Sequence, residues 1–430
     1  MASPVNPPRG MRDFLPVDKA RRERVLAVIR SVFSTHGFDE IETPVMEESS
    51  RLHAGLGGDN EKLAFGVLKR GLTAKDFATA TDALDLADLG LRFDLTVPLA
   101  RFYATHRAEL PTVFRAIQVA PVWRAERPQK GRYRQFVQCD IDIIGEAGPL
   151  AEIELLTATA DTCAALGLIG CTFRINDRRL LIGMLETLGF ATATHDQVLV
   201  TIDKLDKVGQ EGVVAELRGR GFDAAAVDTL DAFFRRPRPP EQPSFGGQPS
   251  FGEQAIRAAL PAGADAAVVA ELAGIGLAVT GGQVEFDPFL VRGMGYYTGT
   301  IFEIEHPDLP YSLGGGGRYD GMIGRFLGVD VPAAGFSIGF ERIVDLVRLR
   351  DDESAGGVAL VYDSDVTSAT LMRLKAELIA NGRRVRLERT PRNLKPLLAQ
   401  LAASGFVEIA TVSARTATVA DLRMRKLAAE

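Results

Sequence analysis

"RPQKGRYRQFVQCDIDIIGE", residues 127–146, opens as a basic loop and closes as a strand. Arg127, Lys130, Arg132 and Arg134 crowd its first half around one glycine and two aromatics, a density of positive charge that calls for an anionic partner. In the second half Phe136, Gln138, Asp140 and Asp142 alternate with Val137, Cys139, Ile141 and Ile143, the period of a strand with one polar and one apolar face. Burying a row of one glutamine and two aspartates is costly unless it meets a ligand; a solvated face is the plainer alternative, and the residues alone leave both open.

The surroundings limit what that partner is. The chain has 430 residues, 46% of them hydrophobic, enough for two or three cores. Its 50 Lys and Arg against 56 Asp and Glu give a net charge of −6, which excludes a protein that coats nucleic acid indiscriminately and leaves room for a local basic site. Cys139, Cys163 and Cys171 form no C-x-x-C pair, so neither a zinc knuckle nor a disulfide framework is expected, and no protein-ligated metal. The first twenty residues have no apolar signal core and no long uncharged apolar run follows, so the chain is expected to be cytoplasmic and to have no membrane partner.

Residues 18–35 place Val25, Ile29, Val32 and Phe33 at helical spacing. In "FDEIETPVMEE" (38–48) Ile41, Thr43 and Val45 alternate like an edge strand interrupted by Pro44. "LGLRFDLTVPLARF" (89–102) and "FRAIQVAPVWRAE" (114–126) both mix β-branched residues with isolated charges and read as strands. A helical module begins after "FRINDRRLLIGML". It contains a Pro/Gly/Ser-rich loop at 235–254 in which "QPSFG" occurs twice. Strand character returns at 284–305; "LGGGGRYDG" reads as a glycine turn and "AAGFSIGFERIVDLV" as a strand leading into a helix. "DDESAGG" (351–357) reads as a linker, and the remainder alternates as β-α-β-α-β, with a basic run at 383–395.

Asp94 and Thr96, the 124–142 segment, Arg292 with Tyr296 and Tyr297, and Arg342 together make a ligand-sized polar set. With these segments quoted, the chain resembles the histidyl-tRNA synthetases of class II over essentially its full length. Arg124, Glu126 and the basic run resemble motif 2 of that class, "AAGFSIGFERI" motif 3 and "FDEIETPVMEE" motif 1. "LVRGMGYYTGTIFE" and "GGGGRYDG" resemble the two signatures particular to the histidine enzyme, with Gly295 where the family usually has an acidic residue; Ala125 stands where bacterial members often have histidine.

The resemblance implies an α+β fold: an antiparallel sheet with flanking helices in a catalytic domain at 1–174 and 279–348, a helical insertion at 175–278, and an α/β anticodon-binding domain at 349–430. It implies activation of L-histidine by ATP with Mg²⁺, transfer to tRNA(His), and a homodimer. Arg124 and Arg292 would be catalytic, holding the α-phosphate from two sides. Glu126, Arg132, Phe136 and Arg342 would bind ATP with Arg124, while Lys130 and Arg134 would reach the tRNA acceptor end. Asp94, Thr96 and Gln138 would hold the histidine ammonium, and Asp142 and Tyr297 the two imidazole nitrogens. Arg292 and Tyr296 complete that subsite, and Gly315, Gly316 and Gly317 would let backbone approach the ligand. Two alternatives remain: a histidine-binding regulatory relative, and a paralogue that activates an amino acid without charging tRNA.

Overall fold

The computed structural model describes residues 5–53, 63–128, 131–236, 251–292, 295–347 and 357–427. The glycine-rich loop foreseen at 235–254 lies mostly outside them, as do Lys130 and nearly all of the linker foreseen at 351–357. Two compact units emerge, residues 1–12 with 25–347, and residues 13–24 with 348–430. Grouping 13–24 with the C-terminal unit was not foreseen from sequence.

The strands in chain order are β1 Asp39–Glu40, β2 Met46–Glu48, β3 Phe65–Leu68, β4 Ala87–Leu91, β5 Phe114–Trp123, β6 Gln135–Ile144, β7 Thr172–Asp177 and β8 Gln283–Phe286. They continue with β9 Thr300–Glu305, β10 Gly314–Arg318, β11 Ala333–Gly339, β12 Gly357–Tyr362, β13 Val385–Arg389, β14 Phe406–Val412 and β15 Arg425–Lys426. Eight of them form one sheet in the order β1-β5-β6-β11-β10-β9-β7-β8. Its centre is antiparallel, whereas β1 joins β5 and β8 joins β7 in parallel. Behind β6 and its neighbours the apolar side chains close into a core; Phe302 of β9 stacks on Phe336 of β11 at 5.6 Å between ring centroids, and Phe173 of β7 meets Phe336 edge-on.

Four sequence expectations need correction. The foreseen 38–48 strand is two short strands, β1 in the large sheet and β2 in a separate three-stranded sheet with β4 and β3, because Pro44 cannot donate to a ladder. Residues 96–106 form a helix, not a continuation of β4; Pro98 falls in its first turn, where its missing N–H costs nothing. The foreseen return of strand at 284–305 is two strands, β8 and β9, separated by residues 287–299. The Gly314–Gly317 run is no turn: it is strand β10, paired on both sides in mid-sheet.

That glycine strand has a steric cause. Paired residues of neighbouring strands share a face, which puts Gly315 beside Ser337 and Gly317 beside Gly335. A Cβ on Gly315 would lie 2.7 Å from Arg292 Nη1, and one on Gly317 would lie 2.8 Å from the Tyr297 ring. On Gly316 it would lie 1.9 Å from the Gly335 carbonyl oxygen. At the end of β10, Arg318 grips the fully buried Glu152 of helix Leu150–Ala165 with both Nε and Nη2, at 2.6 and 2.7 Å, tying that helix to the sheet.

Between β7 and β8, which pair with each other, the described residues 178–282 carry six α-helices and no strand; β7 itself runs to Asp177. In the second unit β12, β13 and β14 are parallel, β15 adds antiparallel, and helices Ser368–Ala380 and Leu394–Ala403 make the crossovers. The foreseen β-α-β-α-β order is therefore the observed one. No helix among the described residues is long and apolar enough to cross a membrane.

Candidate active site

The polar face of β6 opens onto a cavity of about 890 Å³. β6 contributes Phe136, Gln138 and Asp142, and the loop before it Arg124, Glu126 and Arg132. Asp94 and Thr96 arrive from the turn between β4 and the 96–106 helix; Arg292, Tyr296 and Tyr297 from the segment before β9; Gly315 and Gly316 from β10; Arg342 from the helix after β11. Every residue read from the sequence as catalytic, ATP-binding or histidine-binding thus lines one space, except Gly317, which does not; Lys130 lies outside the described residues. Arg134 does not line it; its Nε donates to the Glu126 carbonyl at 3.0 Å, and its N–H to that of Gly10 at 2.8 Å, which ties the basic loop to the N-terminal segment.

Two groups of like charge line this space. One is Asp94, Asp140 and Asp142, all nearly inaccessible. Burial raises the Asp94 carboxyl against the Val97 N–H, the nearby Arg124 and the Thr96 N–H. Burial and the neighbouring Asp142 push Asp140 well above the usual range. Burial also pushes Asp142 up to about 7, against a 2.7 Å hydrogen bond that its Oδ1 accepts from the Tyr319 hydroxyl. The carboxyl has room there because its partner in register is Gly335, whose Cβ would fall 1.9 Å from Oδ1.

The other is a group of arginines. Arg342 is held by a 2.5 Å bond from Nη1 to the Ser312 carbonyl, and burial, then Arg132, then Arg292 lower its pKa. Such like-charge crowding is costly unless an anion relieves it. Arg292 donates Nη1 to Glu303 at 2.7 Å, while its buried Nε makes no hydrogen bond among the described residues. Burial opposes its charge, but Glu303 foremost, then the two tyrosines and Asp203, raise its pKa all the same. Arg124 donates Nε to the Phe93 carbonyl at 2.8 Å and lies 5.1 Å from the centre of the Phe136 ring. Arg12 lies over the Tyr133 ring at 3.5 Å and pairs with Glu341, the neighbour of Arg342.

Asp140, Ser337, Glu303, Tyr311 and Tyr319 were not singled out from sequence. Asp140 stood in the same polar row as Gln138 and Asp142 and was legible there; Glu303 needed the fold, since it is an ordinary strand residue until Arg292 lies against it.

The raised carboxyls make a prediction for the ligand-free protein. A carboxyl with a pKa of 3.8 in the open chain and about 7 when folded binds more protons in the folded state between those values. Its stability contribution is complete below the lower value and is lost as pH rises through the upper one. Thermal melts should therefore show Asp142→Asn gaining stability relative to the parent as pH rises from about 4.5 to about 7.5. A pH-independent difference would refute the raised pKa.

A family model described as histidyl-tRNA synthetase matches residues 10–343. The histidine–tRNA ligase of Leifsonia xyli subsp. xyli is 60% identical over 98% of this chain and 99% of its own length. The chain belongs to the histidyl-tRNA synthetase family. Among solved structures, histidyl-tRNA synthetase from Nostoc sp. PCC 7120 superposes with a TM-score of 0.74 at 24% identity, covering 99% of this chain and 95% of that one. An ATP phosphoribosyltransferase regulatory subunit/histidyl-tRNA synthetase from Bacillus halodurans C superposes at 0.73 with 19% identity, over 96% and 100%. At those identities both likenesses speak for the fold alone, and the fold is that of a class II synthetase.

Proposed function

We propose that this family member is a histidine–tRNA ligase that activates L-histidine with ATP and passes it to tRNA, with the whole adenylation reaction seated in the cavity of β6. The observation that carries the reading is that one cavity holds both a cluster of buried carboxyls, Asp94, Asp140 and Asp142, and a group of arginines crowding one another, Arg132, Arg292 and Arg342. An amino acid beside ATP presents that pattern, an ammonium at one end and a polyphosphate at the other. The same arginines argue against the regulatory alternative, which has no phosphate to hold.

In the first step an oxygen of the histidine carboxylate attacks the α-phosphorus and the bond to the β-phosphate oxygen breaks, releasing pyrophosphate. Negative charge grows on the α-phosphate oxygens, and fixed cations lower that barrier most when they are preorganised. Arg124 and Arg292 are read as those cations, Arg342 and Arg132 as holding the outer phosphates, Glu126 as supporting the adenosine and Phe136 as stacking on adenine. Guanidinium suits this work because its planar fork grips phosphate with two N–H groups and keeps its proton. ATP is taken as its Mg²⁺ complex, the ion travelling with the phosphates.

Histidine's ring presents one N–H and one bare nitrogen. Asp142 is read as accepting the first and Tyr297 as donating to the second, so an apolar isostere would leave both buried and unpaired. Asp94, Thr96 and Gln138 are read as the ammonium contacts. In the second step a ribose hydroxyl of the tRNA 3′ end attacks the activated carbonyl and AMP leaves.

The finer assignments are proposals of the same kind. The helical stretch within 175–278 is read as the family's helical insertion, and the 349–430 segment as the anticodon domain, its basic run meeting RNA phosphates. Within that run Arg384 and Arg386 lie over Phe406 at 4.5 and 4.6 Å. A homodimer is supported by apolar side chains left exposed around the small sheet, Met46, Leu68 and Phe77. The cytoplasm is the compartment where the reaction has its substrates.

The test is amino-acid-dependent ATP–pyrophosphate exchange across all twenty amino acids, with charging of tRNA(His) on the same preparation. Exchange with histidine alone together with charging is expected. Histidine binding without exchange would overturn the enzyme reading, and exchange without charging would favour the paralogue.

A further inference from the structure

Gln138 is nearly buried, and its amide is anchored by one end only. Nε2 donates to Ser337 Oγ at 3.0 Å and to Asp140 Oδ2 at 3.3 Å, while Oε1 is buried with no hydrogen-bond partner among the described residues. The Ser337 hydroxyl in turn donates to Asp140. Strand geometry sets up this relay: Gln138 and Asp140 are two residues apart on one face of β6, and Ser337 faces Asp140 across the β6–β11 ladder.

A neutral amide has two chemically opposite ends, and an accepting carboxyl oxygen such as Asp140 Oδ2 admits only the NH₂ end as its neighbour. We infer that Asp140 is a positioning residue for amino-acid recognition: with Ser337 it fixes the orientation of the Gln138 amide so that Oε1 is presented to the cavity as an acceptor for the substrate's ammonium. The cost of leaving Oε1 unpaired in the empty protein is recovered only when an N–H donor arrives. Burial and Asp142 oppose a charge on the Asp140 carboxyl in the empty site, and an arriving ammonium favours that charge where a neutral ligand does not. A hydrogen-bonding side chain of either polarity would fill the same space; only an acceptor locks the amide this way round.

The inference rests on the reading of this cavity as a histidine site, and ligand chemistry separates the two. The experiment is calorimetric titration, without ATP, of L-histidine and of 3-(imidazol-4-yl)propionate, which lacks the ammonium, into the parent, Asp140→Asn and Ser337→Ala. The parent should prefer histidine; a parent without preference overturns the cavity reading itself. In Asp140→Asn, whose amide permits Gln138 to turn over, the preference should shrink about tenfold or more, the scale of one charge-assisted hydrogen bond. The affinity for the propionate should stay near the parent value. Ser337→Ala, which keeps the carboxylate and removes one anchor, should lose the preference by a smaller factor. Equal losses for both ligands in folded Asp140→Asn, checked by thermal melting, would reduce Asp140 to a structural role and overturn the inference, as would an unchanged preference in both variants.

Discussion

Arg292→Ala should lower histidine-dependent ATP–pyrophosphate exchange by about 10²–10³, or roughly 3–4 kcal/mol in the barrier. The size follows from where the residue sits. Its guanidinium lies over Gly315, held by Glu303, with its Nε unengaged in a buried space, so its charge is in place before substrate arrives. Removing it also strands Glu303, and the variant should be less stable as well as slower. Arg292→Lys separates the two effects. An ammonium still neutralises Glu303 and should restore most of the melting temperature, but it lacks the second donor arm and should restore little of the rate. If the lysine variant were as active as the parent, charge alone would suffice and the bidentate role of Arg292 would be wrong.

Gly316→Ala should be the most damaging single methyl that can be added to the sheet. The new Cβ would lie 1.9 Å from the Gly335 carbonyl oxygen and 2.8 Å from the Phe302 ring, and backbone in mid-sheet cannot step aside. Overpacking of this kind costs about 1–3 kcal/mol where side chains can yield, and the upper end or beyond is expected where they cannot. Because β10 also seats Arg292 through Gly315 and Tyr297 through Gly317, exchange activity should collapse together with stability. Gly295→Ala is the control. It lies in the neighbouring signature, yet a Cβ there meets nothing within 4 Å among the described residues, so urea unfolding should leave its midpoint near that of the parent. Similar midpoints for the two variants would show that β10 is not packed as described.

The polar stripe of β6, the isolated arginines and the terminal β-α-β-α-β unit were legible in the chain because each is a local pattern. Alternation of Gln138, Asp140 and Asp142 against Val137, Cys139, Ile141 and Ile143 identifies a strand wherever it is placed, and the burial of both faces settled only that the stripe meets a cavity and not solvent. The helix beginning at Thr96 was misread because β-branched Thr96 and Val97 weighed toward a strand. What holds the helix start is Asp94, whose Oδ1 accepts from the Val97 N–H at 3.2 Å.

The glycine run shows the limit most clearly. Four consecutive glycines state that something comes close, without saying what, and the local expectation is a turn. That Arg292, Tyr297, Phe302 and the Gly335 carbonyl are the things that come close depends on segments outside the run and on the strand register, and is decided only when the sheet assembles. The pairing of Arg292 with Glu303 and the orientation of Gln138 by Asp140 and Ser337 belong to the same class. The sequence by itself determined the family, the residue types and the periodicity of the strands that carry them. The tertiary structure decided which of those residues meet, because contact between distant segments is set by register and packing, and neither is written in any local stretch of the chain.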